Sequence, residues 1–265
     1  MALTNTIFAQ KIQVIDKSKW LCIYNYEFTQ DSLSRYSLKS NQMVLQIGSQ
    51  VSKFTCLTYF IMDSLYLSCG TDETAFINMI RKSKNGVRTD LMAQYTVYKN
   101  HPQKGLMFFM AYDDQKFFKV EQPMRINWKL DNREDTVILG YTCQKAYTSY
   151  AGRNYTAWYS TQIPLNDGPY KFNGLPGLIL KISDTKNQHC FTLNSIKKVK
   201  YNQPITFTLN DYIDITAEEY IKIMKNKMAR LFGTLQNGAV TFDSEEAKAK
   251  ALHGMKVRNN FLEKF

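Results

Sequence analysis

From about residue 19 to residue 200 apolar side chains recur at alternate positions, and this period limits the possible folds of the 265-residue chain more than any other feature. The first clear example is Trp20, Cys22, Tyr24, Tyr26 and Phe28, which would line one face of a strand while the residues between them line the other. Further strands are expected at 43–48, 93–99, 106–112, 116–121, 124–130, 137–147, 155–163, 178–183 and 190–199. Asp113-Asp114 and Asp131-Asn132-Arg133-Glu134 offer polar turn chemistry between them. Strand following strand through short turns predicts an antiparallel meander, because parallel neighbours would need a long crossover at each step. At 73–84, Phe76, Met79 and Ile80 fall at helical spacing, so a short helix is expected to interrupt the sheet.

The C-terminal part changes period. Thr216-Ala217-Glu218-Glu219 has the form of a capping box and opens a helix over 216–232, with Tyr220, Met224, Met228 and Leu231 on one face and Gly233 as its expected end. Ser244 ahead of Glu245 and Glu246 opens a second helix over 244–257, despite Gly254. The expected fold is mainly β (α+β): a curved antiparallel sheet or half-barrel meander with one or two C-terminal helices packed on its open side. The length suffices for a large core, and residues 10–265 are read as one domain.

Residues 168–184, GPYKFNGLPGLILKISD, place Gly168, Pro169, Gly174, Pro176 and Gly177 within ten positions, ahead of an apolar strand. Glycine supplies positive φ and proline fixes φ, so this is an ordered, tightly turned loop rather than a linker. Just upstream, ILGYTCQKAYTSYAGRNYTAWYSTQIP at 138–164 reads as two strands hinged near Ala151-Gly152. Together these segments resemble the GLPGLI family of bacterial envelope proteins, whose name is spelled here by Gly174-Leu175-Pro176-Gly177-Leu178-Ile179. The resemblance runs from about Trp128 through Asp184, with a fainter echo in MVLQIGSQVSKF at 43–54. It implies a secreted or periplasmic protein of a Gram-negative bacterium. The shape it implies is a curved sheet similar to the half-barrel of lipoprotein carriers and to the bowl-like N-terminal domain of some bacterial peptide:N-glycosidases. It carries over no catalytic residues. Two features depart from the family pattern: the export signal is incomplete, and the ending NNFLEKF differs from an NNP-type ending.

Residues 1–9 read as the remnant of a signal peptide, since Ile7-Phe8-Ala9 resembles the tail of one while the basic start and most of the apolar stretch are missing. No apolar run is long enough to span a bilayer as a helix. Lys and Arg number 34 against 23 Asp and Glu, a net charge of +11. Lipopolysaccharide, anionic glycan, acidic peptide and nucleic acid would all be attracted to such a chain, although solubility alone also accounts for the charge and no nucleic-acid partner is expected. The densest basic stretch comprises Lys197, Lys198, Lys200, Lys222, Lys225, Lys227 and Arg230, the last four on the solvated face of the expected helix. Cys22, Cys56, Cys69, Cys143 and Cys190 are an odd set without a CxxC and read as buried free thiols, with a Cys143–Cys190 bridge open if their strands are neighbours. His101, His189 and His253 stand far apart, so no metal site and no cofactor is expected.

Motifs for chemistry are sparse. G-x-S-x-G, Walker A and G-x-G-x-x-G are absent, and the carboxylates at 113–114 and 131–135 read first as turn residues. Aromatics carry the candidate site: Tyr141, Arg153, Tyr155, Trp158, Tyr170 and Phe172 are the expected ligand contacts, because Tyr and Trp combine broad apolar area with a polar tip. Core packing is the competing role for the aromatics, and for Arg153 it is an internal pair with Asp184 or Asp167 that fastens the loop. Three functional readings follow. The first is a non-enzymatic envelope protein that binds or carries a lipid, peptide or glycan on the concave face of the sheet and meets an outer-membrane or envelope partner. The second is a hydrolase acting on glycan or peptide, and the third an interaction module that uses a sheet edge.

Overall fold

The computed structural model of the chain describes residues 11–32, 37–69, 74, 78, 95–114, 116–201, 203–237, 241–256, 260, 262 and 263. Fourteen strands are described: β1 (Lys11–Lys17), β2 (Trp20–Thr29), β3 (Leu38–Ile47), β4 (Ser52–Cys56), β5 (Thr96–Lys99), β6 (Leu106–Asp113), β7 (Lys116–Pro123), β8 (Lys129–Ile138), β9 (Tyr141–Tyr150), β10 (Arg153–Ser160), β11 (Leu178–Asp184), β12 (His189–Lys198), β13 (Pro204–Leu209) and β14 (Tyr212–Asp214). The helices are α1 (Leu57–Cys69), α2 (Ala217–Gln236) and α3 (Glu245–Lys256). The mainly β expectation holds, with a large open sheet and two C-terminal helices.

Twelve strands form one sheet in the order β14-β7-β6-β5-β4-β3-β2-β12-β11-β10-β9-β8, while β1 and β13 make a separate antiparallel ribbon. The sheet is two meanders, β2 to β7 and β8 to β12, joined where β12 pairs with β2. Every pair is antiparallel except the short β14 beside β7. This topology dictates curvature. Strands β7 and β8 lie ten places apart in the order, which in a flat sheet would separate them by roughly 48 Å. Residues 124–128 join them, and a link of that length spans at most about 20 Å. The sheet must therefore roll until its two ends approach. Side chains bridge the gap: Gln122 Nε2 donates to Tyr150 OH at 2.6 Å, and Thr148 Oγ1 donates to the Asn127 carbonyl at 2.9 Å.

The alternation then sorts side chains by face. Tyr24, Tyr26, Phe28, Phe54, Phe109 and Phe191 point into the roll and are buried there. On the outside, Tyr98, Phe108 and Phe207 form a second, smaller core beneath the β1–β13 ribbon. Two hairpins turn through positive φ at both central residues, Leu139-Gly140 and Ala151-Gly152, the turn whose twist matches paired strands.

Several boundaries differ from expectation. The region 131–134, read as a turn, is a bulge inside β8, where Asp131 accepts from Arg133 Nε at 2.8 Å and the register shifts before Asp135. Residues 124–128, read as strand, are the link that crosses the roll. β1, β4, β13 and β14 were not anticipated. Neither was α1, because the few polar residues of LTYFIMDSLYLSC, Thr58, Asp63, Ser64 and Ser68, leave only a weak helical period in a largely apolar run. The helix expected at 73–84 lies outside the described residues, apart from positions 74 and 78, which are helical. The capping box is present: Glu219 N donates to Thr216 Oγ1 at 3.1 Å and Thr216 N to Glu219 Oε2 at 2.7 Å. Gly233 does not end that helix, which continues to Gln236. No neighbour lies within 4 Å of a Cβ built there, so the position is open helix surface with no special backbone need.

Candidate functional site

The glycine-proline loop folds into the roll and is held there by a buried lysine. Lys99, at the end of β5, points inward, and its Nζ donates to Asp167 Oδ1 at 2.5 Å, to the Gly168 carbonyl at 2.5 Å and to the Phe172 carbonyl at 3.1 Å. Those three bonds use all three ammonium donors. Burial pulls the Lys99 ammonium below the ordinary lysine range, against the pull of Asp167. The loop glycines have separate physical reasons. Gly174 sits at φ +90°, whereas a Cβ on Gly177 would lie 2.1 Å from the Ser160 carbonyl oxygen and one on Gly168 would meet Ile179 at 2.8 Å. Pro169 and Leu175 are buried with the loop, Pro176 is exposed, and Trp128 Nε1 ties the loop to the β7–β8 link by donating to the Asn173 carbonyl at 2.8 Å.

Residues near the C-terminus complete this interior. Asn260 Nδ2 donates to the Thr29 carbonyl at 2.8 Å, and Asn260 Oδ1 accepts from Arg153 Nη2 at 2.7 Å. Tyr155 OH donates to the Leu262 carbonyl at 3.2 Å. Glu263 Oε1 takes Lys171 Nζ at 2.6 Å and Tyr170 OH at 2.7 Å, all three groups being buried. Lys171 Nζ also stands 4.7 Å from the centre of the Phe109 ring, and burial lowers its ammonium from the ordinary lysine range. Arg153 Nη1 donates to Asp184 Oδ2 at 2.9 Å, the internal pair weighed against a ligand role, while Asp167 is taken by Lys99.

The six expected ligand contacts thus fall into two groups. Arg153, Tyr155, Tyr170 and Phe172 come together inside the roll, and Phe172 stacks edge-on against Tyr155 at 4.7 Å between ring centres. Tyr141 and Trp158 are half-buried on β9 and β10, with Trp158 lying 5.1 Å below Lys145 Nζ. Within the roll, a cavity of about 20 Å³ is lined by Tyr26, Tyr95, Tyr170, Tyr220, Glu263 and their neighbours. That is the space of about one water. Among the described residues, the chain's own loop, α2, Asn260, Leu262 and Glu263 pack into the concave face around that cavity. No disulfide joins the five cysteines; burial pushes the Cys143 thiol up to about 11, and β10 and β11 separate its strand from that of Cys190.

The open volume lies elsewhere. On the outer face, α1 turns Phe60, Asp63, Ser64, Leu67 and Ser68 towards the segment 197–206, a spacing of one helix face. Between them runs a groove of about 750 Å³, within the usual range of ligand sites. Its floor is polar and self-satisfied: Lys53 Nζ pairs with Asp63 Oδ2 and donates to Thr206 Oγ1 at 2.9 Å, and Gln46 Nε2 donates to the Pro204 carbonyl at 3.1 Å. Its lip carries Lys197, Lys198 and Lys200, all exposed and in no ion pair among the described residues, beside Tyr201, which is 87% exposed. Sequence reading found these lysines as charge but missed the groove, because α1 gave only a weak periodic signal.

A family model described as "Protein of unknown function (Porph_ging)" matches residues 149–181, which run from the end of β9 through β10 and the loop into β11. None of the curated proteins matches the chain. Solved structures similar to it include two of PNGF-II, in P21 and C2 crystal forms, with TM-scores of 0.49 and 0.48 at 15% identity. They cover 78% and 79% of this chain and 33% of PNGF-II, so the chain spans about a third of that protein's length.

Proposed function

We propose that the chain is a non-enzymatic binding protein of the bacterial envelope whose ligand occupies the outer groove between α1 and residues 197–206. One observation carries this reading: the groove is open at about 750 Å³, whereas the cavity that the described residues leave inside the roll is about 20 Å³. The loop that prompted the envelope resemblance then acts as a clasp, and the buried groups Lys99, Arg153, Lys171 and Glu263 hold the roll shut. A role by edge-strand pairing is disfavoured. The edge strand β8 bears Lys129, Asp131, Arg133, Glu134 and Asp135 as well as a bulge, and the opposite edge, β14, is three residues long.

Native mass spectrometry of the purified chain after incubation with envelope extract tests the reading. A retained lipid, peptide or glycan is expected with the unaltered chain and is lost in Ser64→Trp, which fills the groove from an exposed helix position. Retention of nothing, or equal retention by Ser64→Trp, overturns it. Cell fractionation tests the compartment, the expected place being outside the cytoplasm.

A further inference from the structure

Helix α1 is unusual for its setting. Of its thirteen residues only Asp63 is charged, and that carboxylate already faces Lys53, yet no residue of the helix is buried. On the groove its face sets half-buried Phe60 and exposed Leu67 as an apolar strip beside Ser64 and Ser68. Across the groove stand three lysines whose charges no described residue neutralises. Among the described residues, one wall thus offers an apolar strip at Phe60 and Leu67 and the other offers cations without an ion-pair partner.

Resting on the reading of this groove as the binding site, we infer that it takes a single anionic amphiphile, with the acyl chain along Phe60 and Leu67 of α1 and the phosphate or carboxylate head at Lys197, Lys198 and Lys200. Tyr201, next to Lys200 and also lining the groove, adds an exposed aromatic ring with a polar tip. Lys198 Nζ lies 6.0 Å from the Trp20 ring, so seating an anion there changes the surroundings of that indole. Binding is expected to weaken with salt, since the lysines are exposed.

Calorimetric titration with dodecyl phosphate below its micelle concentration tests this. One saturable site is expected, with much weaker binding of dodecyl maltoside, which has the chain without the charge, and of inorganic phosphate, which has the charge without the chain. Replacing Lys197, Lys198 and Lys200 together by Gln should weaken dodecyl phosphate by about tenfold or more, as loss of charge-assisted hydrogen bonds does. The melting temperature should stay unchanged, because all three lysines are exposed. Leu67→Asp should weaken it as well, from the apolar side. The inference is overturned if dodecyl maltoside or inorganic phosphate binds as tightly as dodecyl phosphate, or if the triple variant binds normally. Binding to phosphatidylglycerol vesicles without binding of the monomer overturns it in favour of membrane docking. If dodecyl phosphate fails while an extract ligand is still retained by the unaltered chain and lost in Ser64→Trp, this inference falls and the broader binding role stands.

Discussion

The inside of the roll and the groove on its back are built from the same strands, yet they treat charge in opposite ways. Inside, Lys99, Lys171 and Arg153 are buried, and each meets a carboxylate within 3 Å. Outside, Lys197, Lys198 and Lys200 are exposed and meet none among the described residues. Burying an ion is costly unless it is paired and hydrogen-bonded, so the interior lysines are committed to holding the loop and Glu263 in place. Those on the lip have no such task and keep their charge available to a ligand.

Stability should divide along the same line. Lys171→Met would leave the buried Glu263 carboxylate with the Tyr170 hydroxyl as its remaining partner, and a loss of about 3–5 kcal/mol is expected by chemical denaturation. Lys197→Gln on the groove lip should fall within about 0.5 kcal/mol of the parent. Equal effects at the two sites would erase the contrast. Replacing Lys171 by Met and Glu263 by Leu together should recover much of the loss, which separates the cost of an orphaned charge from that of altered packing.

The loop glycines sharpen the picture of a clasp. Gly177→Ala must displace the Ser160 backbone and should cost about 2–3 kcal/mol. Gly174→Ala meets only Trp128 Nε1, at an ordinary contact of 3.9 Å, but must hold a positive φ, for about 1–2 kcal/mol. If thermal melting ranked them the other way, the loop would be less tightly seated against β10 than described.

The period-two pattern, the turn at Ala151-Gly152, the capping box and the glycine-proline loop were legible in the sequence, because each depends on neighbours within a few residues; the turn at Leu139-Gly140 was not, and it breaks the stretch 137–147 read as one strand. What escaped depended on distance. Arg153 and Asn260 are 107 positions apart, and Asn260 and Thr29 are 231 apart, so nothing local marks Asn260, Leu262 and Glu263 as part of the core. Tyr155, Tyr170 and Phe172 were singled out as aromatics of one region, and they do come together. The sequence could not say that the chain's own loop would fill the face they line. Asp131-Asn132-Arg133-Glu134 looked like a turn because a bulge and a turn favour the same polar residues.

The smallest expected effect concerns pH. Asp16 of β1 is partly buried, which alone would raise its carboxyl, but backbone amides of Gln50, Val51 and Lys17 outweigh this and hold it below the usual carboxylate range. A carboxyl lowered on folding contributes stability that is complete above its unfolded pKa, about 4, and is lost as pH falls through the folded value. Urea midpoints should therefore drop less steeply in Asp16→Asn than in the parent on acidification below about pH 4. Parallel curves would mean that Asp16 does not brace the β3–β4 turn.

Hydrogen exchange, followed by mass spectrometry with and without saturating dodecyl phosphate, compares the two regions in one experiment. The account predicts added protection at 57–69 and 197–206, with 163–184 already slow to exchange and unchanged. Protection gained at 163–184 with the groove unaffected would contradict it, placing the ligand inside the roll and making the loop a gate rather than a clasp.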